Sequence, residues 1–435
     1  MALKRIVGLT VAAALVSAPV LAKTEIDWWH AMGGALGTKV NEIAADFNAS
    51  QHEYVIKPIY KGTYAETMTS AIAAFRAKEQ PAIVQVFEVG TATMMGAKQA
   101  IYPVYQLMQE TNEPFNSNNY LSAVTGYYTT NDGKMLSMPF NSSTPVLYYN
   151  KDMFKKAGLS HPPKTWDEMG VMSHQLLASG AHCGFTTTWQ SWTQIENFAA
   201  RNNIPMATKH NGFGGLNTKF EFNTKPFVDH IAQMAKWSKN GVFKYGGRQS
   251  EAMPLFYTQK CAMTMGSSAG FAGIKANMKG IDVGVAQLPY DSHLITEPQN
   301  TIIGGASLWV LRGHSKKEYK GVAQFFTYLS SAKVQADWHQ FSGYLPITKK
   351  AYERTKKQGF YKKNPGTDVA VMQMTSKQPT ENSKGIRFGN FLQVRDIIND
   401  ELEATWAGKE TAQVALNNAV RRGNEQLRRF ERAQQ

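Results

Sequence analysis

From Glu25 onward, short strand-like runs alternate with segments whose apolar residues recur at helical spacing, and this alternation constrains the fold more than any other feature. Glu25 to Trp29 reads as a strand, and Leu36, Val40, Ile43, Ala44 and Phe47 then fall on one face of a helix. Tyr54 to Tyr60 is a second strand, Tyr64 to Arg76 a second helix, Ala82 to Val89 a third strand, and Thr91 to Lys98 a third helix. A strand that must pass through a helix before the next strand builds a sheet covered by helices, so the class is α/β.

Ahead of this pattern, Lys4 and Arg5 precede an apolar stretch, Ile6 to Val20, and the small-residue end Val20-Leu21-Ala22. That is the layout of a secretory signal peptide over residues 1–22, cleaved near Ala22. The apolar part is about fifteen residues, short of the roughly 20 that span a bilayer. The roughly 413 residues that follow exceed the about 250–300 that one hydrophobic core serves, so two lobes are expected.

The pattern changes at Pro139-Phe140-Asn141-Ser142-Ser143-Thr144-Pro145, where two prolines exclude a helix and favour an extended crossing. Thr165 and Glu168 then have capping-box spacing for a new helix. A strand from Thr301 to Val310, a helix from about Lys317 to Phe341, the extended Gly343-Tyr344-Leu345-Pro346-Ile347 and a helical tail from Gln393 complete the chain. Crossings near 139, 300 and 344 divide it into a discontinuous N-terminal lobe, 23–138 with 300–343, and a C-terminal lobe, 139–299 with 344–435. Several connections between two rigid bodies make a hinge over a cleft.

Composition narrows the function. The formal net charge is +14, but the basic residues are scattered in pairs, and the densest set, Arg421, Arg422, Arg428, Arg429 and Arg432, reads as a solvated helix face. No nucleic-acid partner is expected. Cys183 and Cys261 lie in a chain expected to be exported, where they either pair or remain two buried thiols. No two of the ten histidines lie closer than eight residues, and there is no phosphate-binding loop or dinucleotide fingerprint, so neither metal nor cofactor is expected. Gly266-Ser267-Ser268-Ala269-Gly270 matches Gly-x-Ser-x-Gly, which opens a serine hydrolase with Ser268 as nucleophile, although its partners, such as Asp282 and His339, can be chosen only arbitrarily.

Tyr149-Asn150-Lys151-Asp152-Met153-Phe154, followed by Pro162-Pro163-Lys164-Thr165-Trp166-Asp167-Glu168-Met169, resembles the signature of extracellular solute-binding proteins of carbohydrate ABC importers. Val86-Phe87-Glu88-Val89-Gly90, Phe140 to Asn150, Ile302 to Val310 and Gly343 to Thr348 resemble, more narrowly, the sn-glycerol-3-phosphate-binding branch of that family over essentially the whole mature chain. The resemblance implies a two-lobed, maltose-binding-protein-like (type II) fold with a hinge and an interlobe cleft. It further implies periplasmic capture of sn-glycerol-3-phosphate, or of glycerophosphodiesters such as glycerophosphocholine, by a monomer that delivers its ligand to an inner-membrane ABC permease and catalyses nothing.

By the same resemblance the ligand-contacting residues are Tyr64, Glu88, Ser143, Ser267, Gly305, Tyr344 and Arg395, with Trp189 and Trp192 as an aromatic platform. Met265-Gly266 stands where the family tends to have two small residues. The residue types suit a phosphate monoester: hydroxyl donors from Ser143, Ser267 and Tyr344, the Gly305 backbone N–H and the Arg395 guanidinium answer its acceptor oxygens and charge. Glu88 is expected at the opposite end of the ligand, accepting from glycerol hydroxyls. A receptor for a neutral oligosaccharide, built on aromatic platforms and carboxylates, is the nearer alternative.

Overall fold

The structure, a computed structural model, describes residues 22–435. The expected signal segment, apart from Ala22, lies outside the described residues. Five strands of the larger sheet come from the first third of the chain: β1 (Thr24–His30), β2 (Tyr54–Tyr60), β3 (Ile83–Phe87), β4 (Ile101–Tyr102) and β5 (Met138–Ser143). The smaller sheet holds β6 (Pro145–Asn150), β7 (Cys183–Thr187), β8 (Cys261–Ser267) and β9 (Val283–Ala286), in the order β7-β8-β6-β9. The chain then returns as β10 (Gly304–Leu311) to the larger sheet, whose order is β2-β1-β3-β10-β4 with β5 also on β10.

β1, β2 and β3 are parallel and joined by helices, as the alternation requires, while β10 enters antiparallel to β3, β4 and β5. Each sheet buries an aromatic layer. On the larger sheet Phe140 stacks on Trp338 at 5.0 Å and meets Trp28 edge-on; on the smaller, Phe185 packs against Trp237 and Phe243.

The lobes join where three crossings meet. β5 runs into β6 with Thr144 alone between them, and the Thr144 hydroxyl lies 2.7 Å from that of Thr301 and donates to the Ile302 carbonyl at 3.0 Å. The third crossing is tied to the first by Leu345 N–H donating to the Ser142 carbonyl at 2.7 Å. β5 pairs with β10, so Pro139 to Ser143 sit within the larger sheet and the chain leaves it at Thr144, after the point where the prolines place the crossing. Pro139, which has no N–H to give, lies beside a register shift between Ala306 and Ser307.

The helix expected over Lys317 to Phe341 is two, Lys316–Leu329 and Ala332–Ser342. Ser331 ends the run because its hydroxyl caps the second helix, accepting from Val334 N–H at 3.3 Å. At Thr165 the hydroxyl accepts from Glu168 N–H at 3.2 Å, but the Glu168 carboxylate reaches back to Lys164 N–H, one residue earlier than a capping box requires.

The two cysteines are bonded. Cys183 and Cys261 are register partners on the parallel strands β7 and β8, with Cα atoms 4.5 Å apart, and the bridge closes a loop of 78 residues. Replacing both with serine is expected to lower stability by roughly 2–4 kcal/mol, chiefly by freeing the unfolded chain. Urea denaturation measures this, and an unchanged midpoint would remove the bridge from the account.

Three histidines are buried and neutral. Burial lowers the pKa values of His30 and His339 to about 4 and that of His230 to about 3. The unfolded chain binds protons at these positions near pH 6.5 and the folded chain does not, so their neutral burial stabilises the fold above that pH. Their contribution is lost as pH falls from about 6.5 toward 4. The urea midpoint is expected to drop steadily across this interval, and the three His→Gln variants should flatten the slope.

Candidate functional site

Between the two sheets lies a cavity of about 580 Å³, and all nine expected contact residues line it. Tyr64, Glu88, Ser143 and Gly305 come from the N-terminal lobe, Trp189, Trp192, Ser267 and Arg395 from the C-terminal lobe, and Tyr344 from the third crossing.

Tyr64 is the first residue of its helix, set by the reciprocal cap of Thr63 and Glu66. Its ring stacks on Phe87 at 5.2 Å and 8°. Its hydroxyl oxygen accepts from Asn141 Nδ2 at 2.8 Å, and Asn141 in turn accepts from Gln85 Nε2 at 2.7 Å. The Tyr64 proton therefore remains available to a ligand or to Tyr344. Burial pushes both tyrosines above their ordinary range, so both stay neutral donors. The Tyr344 ring is held by stacking on Trp338 at 5.5 Å and 12°.

The two tryptophans differ. Trp192 is buried, its indole N–H donates to the Ile303 carbonyl at 3.3 Å, and its ring lies against Gly304, where a Cβ would come within 2.2 Å of it. Trp189 is half-buried with φ of +50°, donates to Ser250 Oγ at 3.3 Å, and its ring lies 6.5 Å from that of Tyr64 across the cleft. Ser267 ends β8, and its Oγ accepts from Ala269 N–H at 3.1 Å, which leaves its own proton to donate. The helix Gly270–Asn277 follows without a side-chain cap, and Ala269, Gly270, Ala272 and Gly273 at its start line the cavity.

Gly305 has a packing reason to be glycine. Its φ is +82°, and a Cβ would stand 1.9 Å from the Asn141 carbonyl oxygen on β5.

Arg395 is gripped from two sides. Its Nε and Nη2 donate to the two oxygens of Glu196, each at 2.7 Å, and Nη2 also donates to Glu88 Oε1 at 2.6 Å. The expectation that Glu88 lies at the far end of the ligand from Arg395 is therefore corrected. The N-terminal lobe's carboxylate is in direct contact with the C-terminal lobe's cation, because the helix Phe391–Trp406 packs against the turn Glu88–Gly90 that follows β3. Burial raises the Glu88 pKa against the pull of Arg395. Burial would lower that of Arg395, but Glu196 and Glu88 together outweigh it and raise it.

Sequence reasoning missed Glu196 altogether. It lies in a π-helical turn, Trp192–Glu196, and is fully buried. The available signal was a carboxylate among Ile195, Phe198, Ala199 and Ala200, where a charge needs a partner. Also unforeseen are Gly33, Ala35 and Leu36 at the start of the first helix, and the wall formed by Met253, Pro254 and Tyr257. Ser268 Oγ is buried with no hydrogen-bond partner, and both ring nitrogens of His339 are engaged elsewhere, by the Tyr344 carbonyl and the Tyr361 hydroxyl.

Residues 42–368 match the family described as bacterial extracellular solute-binding protein. The chain is 51% identical over 422 residues to the sn-glycerol-3-phosphate-binding periplasmic protein UgpB of Brucella melitensis, covering 96% of each chain. It is 50% identical over 420 residues to the protein of the same name from Yersinia pseudotuberculosis, covering 96% of this chain and 95% of that one. Among solved structures, UgpB from Mycobacterium tuberculosis in complex with glycerophosphocholine superposes with a TM-score of 0.79 at 21% identity, over 94% of this chain and 99% of that one. The GacH receptor of Streptomyces glaucescens superposes with a TM-score of 0.76 at 17% identity, over 94% and 100%. At these identities the structural likeness establishes the shared fold, that of two-lobed, maltose-binding-protein-like solute receptors.

Proposed function

This chain belongs to the bacterial extracellular solute-binding protein family, and we propose that it is the periplasmic receptor that captures sn-glycerol-3-phosphate for an inner-membrane ABC importer. The observation that carries this reading is the coincidence of whole-chain relatedness to receptors of that name with a single interlobe cavity holding every expected contact residue. Its chemistry is capture and delivery, with no turnover, by a monomer whose signal peptide is removed near Ala22.

The Nη1 edge of Arg395 makes no hydrogen bond to another described residue and is the natural partner for phosphate oxygens. Ser267, the Gly270–Asn277 helix start, Ser143 and the Gly305 N–H complete the donor set. Glu88, beside Arg395, accepts from the glycerol hydroxyl nearest the phosphate, and Tyr64 and Tyr344 donate to the other. Trp192 and Trp189 cover the carbon chain and exclude water. The cavity is larger than this ligand fills, and its Met253, Pro254 and Tyr257 wall leaves room for the head group of a glycerophosphodiester as second ligand. The lobes close about the Thr144, Asn300 to Ile303 and Gly343 to Ile347 crossings.

Calorimetry with sn-glycerol-3-phosphate, glycerophosphocholine and maltose tests the reading. Micromolar or tighter binding of the first, with no heat from maltose, is expected. Binding of maltose alone would replace it with the oligosaccharide receptor.

A further inference from the structure

With both carboxylates ionised, the Arg395 site carries more negative than positive charge before any ligand arrives. Two carboxylates, Glu88 and Glu196, face one guanidinium, and all three side chains are at least nine-tenths buried. Glu196 binds side-on, through Nε and Nη2, and so fixes the plane of the guanidinium and leaves its Nη1 edge free. Glu88 holds a single N–H, the weaker grip. The other groups around Glu88 are neutral donors: the Tyr127 hydroxyl donates to its backbone carbonyl at 3.2 Å, and Tyr128, Tyr64 and Tyr344 lie close enough to be perturbed by its charge. Arg387 acts only at one remove, on Tyr127. Among the described residues, Arg395 is thus the one cation beside this carboxylate pair.

An anionic ligand at Nη1 places a third negative charge against one guanidinium in a dry cleft, where like charges repel far more strongly than in water. We propose that the site takes up its anionic ligand together with a proton, which passes from solvent to the Glu88 carboxylate, and that Glu196 is the positioning residue that imposes this by keeping its own carboxylate locked on Arg395. The inference rests on the glycerophosphate reading above and deepens it. Protonated Glu88 releases its Arg395 N–H to the ligand and becomes a donor.

Titration calorimetry of the mature chain with glycerophosphoglycerol, a phosphodiester with an uncharged head group, tests it, because this ligand keeps one negative charge across the range used and contributes no proton of its own. In two buffers of different ionisation enthalpy at pH 7 and 8, the heats should differ by the uptake of about one proton per ligand, and affinity should weaken by up to about tenfold per pH unit. Glu196→Gln removes the surplus charge, so its binding should be independent of pH and buffer. Glu88→Gln should behave likewise and serves if the first variant does not fold. Binding by the unaltered chain with no buffer-dependent heat and a flat pH profile overturns the inference alone. No binding of either glycerophosphate ligand at any pH overturns it together with the functional reading.

Discussion

Arg395→Ala is expected to weaken sn-glycerol-3-phosphate binding by at least about thirtyfold, since truncating one partner of a buried charge pair costs about 2–5 kcal/mol of binding. The same change should destabilise the fold by roughly 3–5 kcal/mol, because it strands Glu88 and Glu196 in a region with no other neighbouring cation among the described residues. The two losses separate experimentally: urea denaturation reports the second and calorimetry at low temperature the first. Arg395→Lys should recover part of the stability and little of the affinity, because an ammonium cannot serve both Glu196 oxygens and a phosphate in one plane. Unchanged affinity in Arg395→Ala would reject the assigned phosphate position.

Gly305→Ala is the other change with a large expected effect. The added Cβ would stand 1.9 Å from the Asn141 carbonyl oxygen, and φ of +82° is strained for any residue with a side chain. Backbone on both sides must move, which shifts β5 against β10 and with it Asn141, the residue that orients Tyr64. A stability loss of about 3 kcal/mol or more is expected, with ligand binding abolished. Wild-type denaturation and binding in this variant would show that the β5–β10 pairing has room for the added methyl group.

Local chemistry explains which features could be read from the sequence. Strand β2 is legible because Tyr54 to Tyr60 is β-branched and aromatic between polar turns, and the first helix because Val40, Ile43, Ala44 and Phe47 share one face. The break at Ser330-Ser331 is not, because its apolar periodicity continues through it and only the cap chemistry of Ser331 stops the helix. All nine expected contact residues line one cavity, but their choice came through family resemblance and not through spacing. What spacing cannot give is the relation of residues far apart in the chain. Glu88 and Arg395 are 307 positions apart, and each reads alone as a surface charge. Their contact, and the buried Glu196 beneath, emerge only when the helix Phe391–Trp406 docks against the turn after β3.

A crystal of the protein grown with sn-glycerol-3-phosphate is the most direct test. The ligand should lie between the two sheets, its phosphate within about 3 Å of Arg395 Nη1 and its carbon chain against Trp192. A ligand bound outside the cleft, or one whose phosphate lies away from Arg395, would contradict this placement.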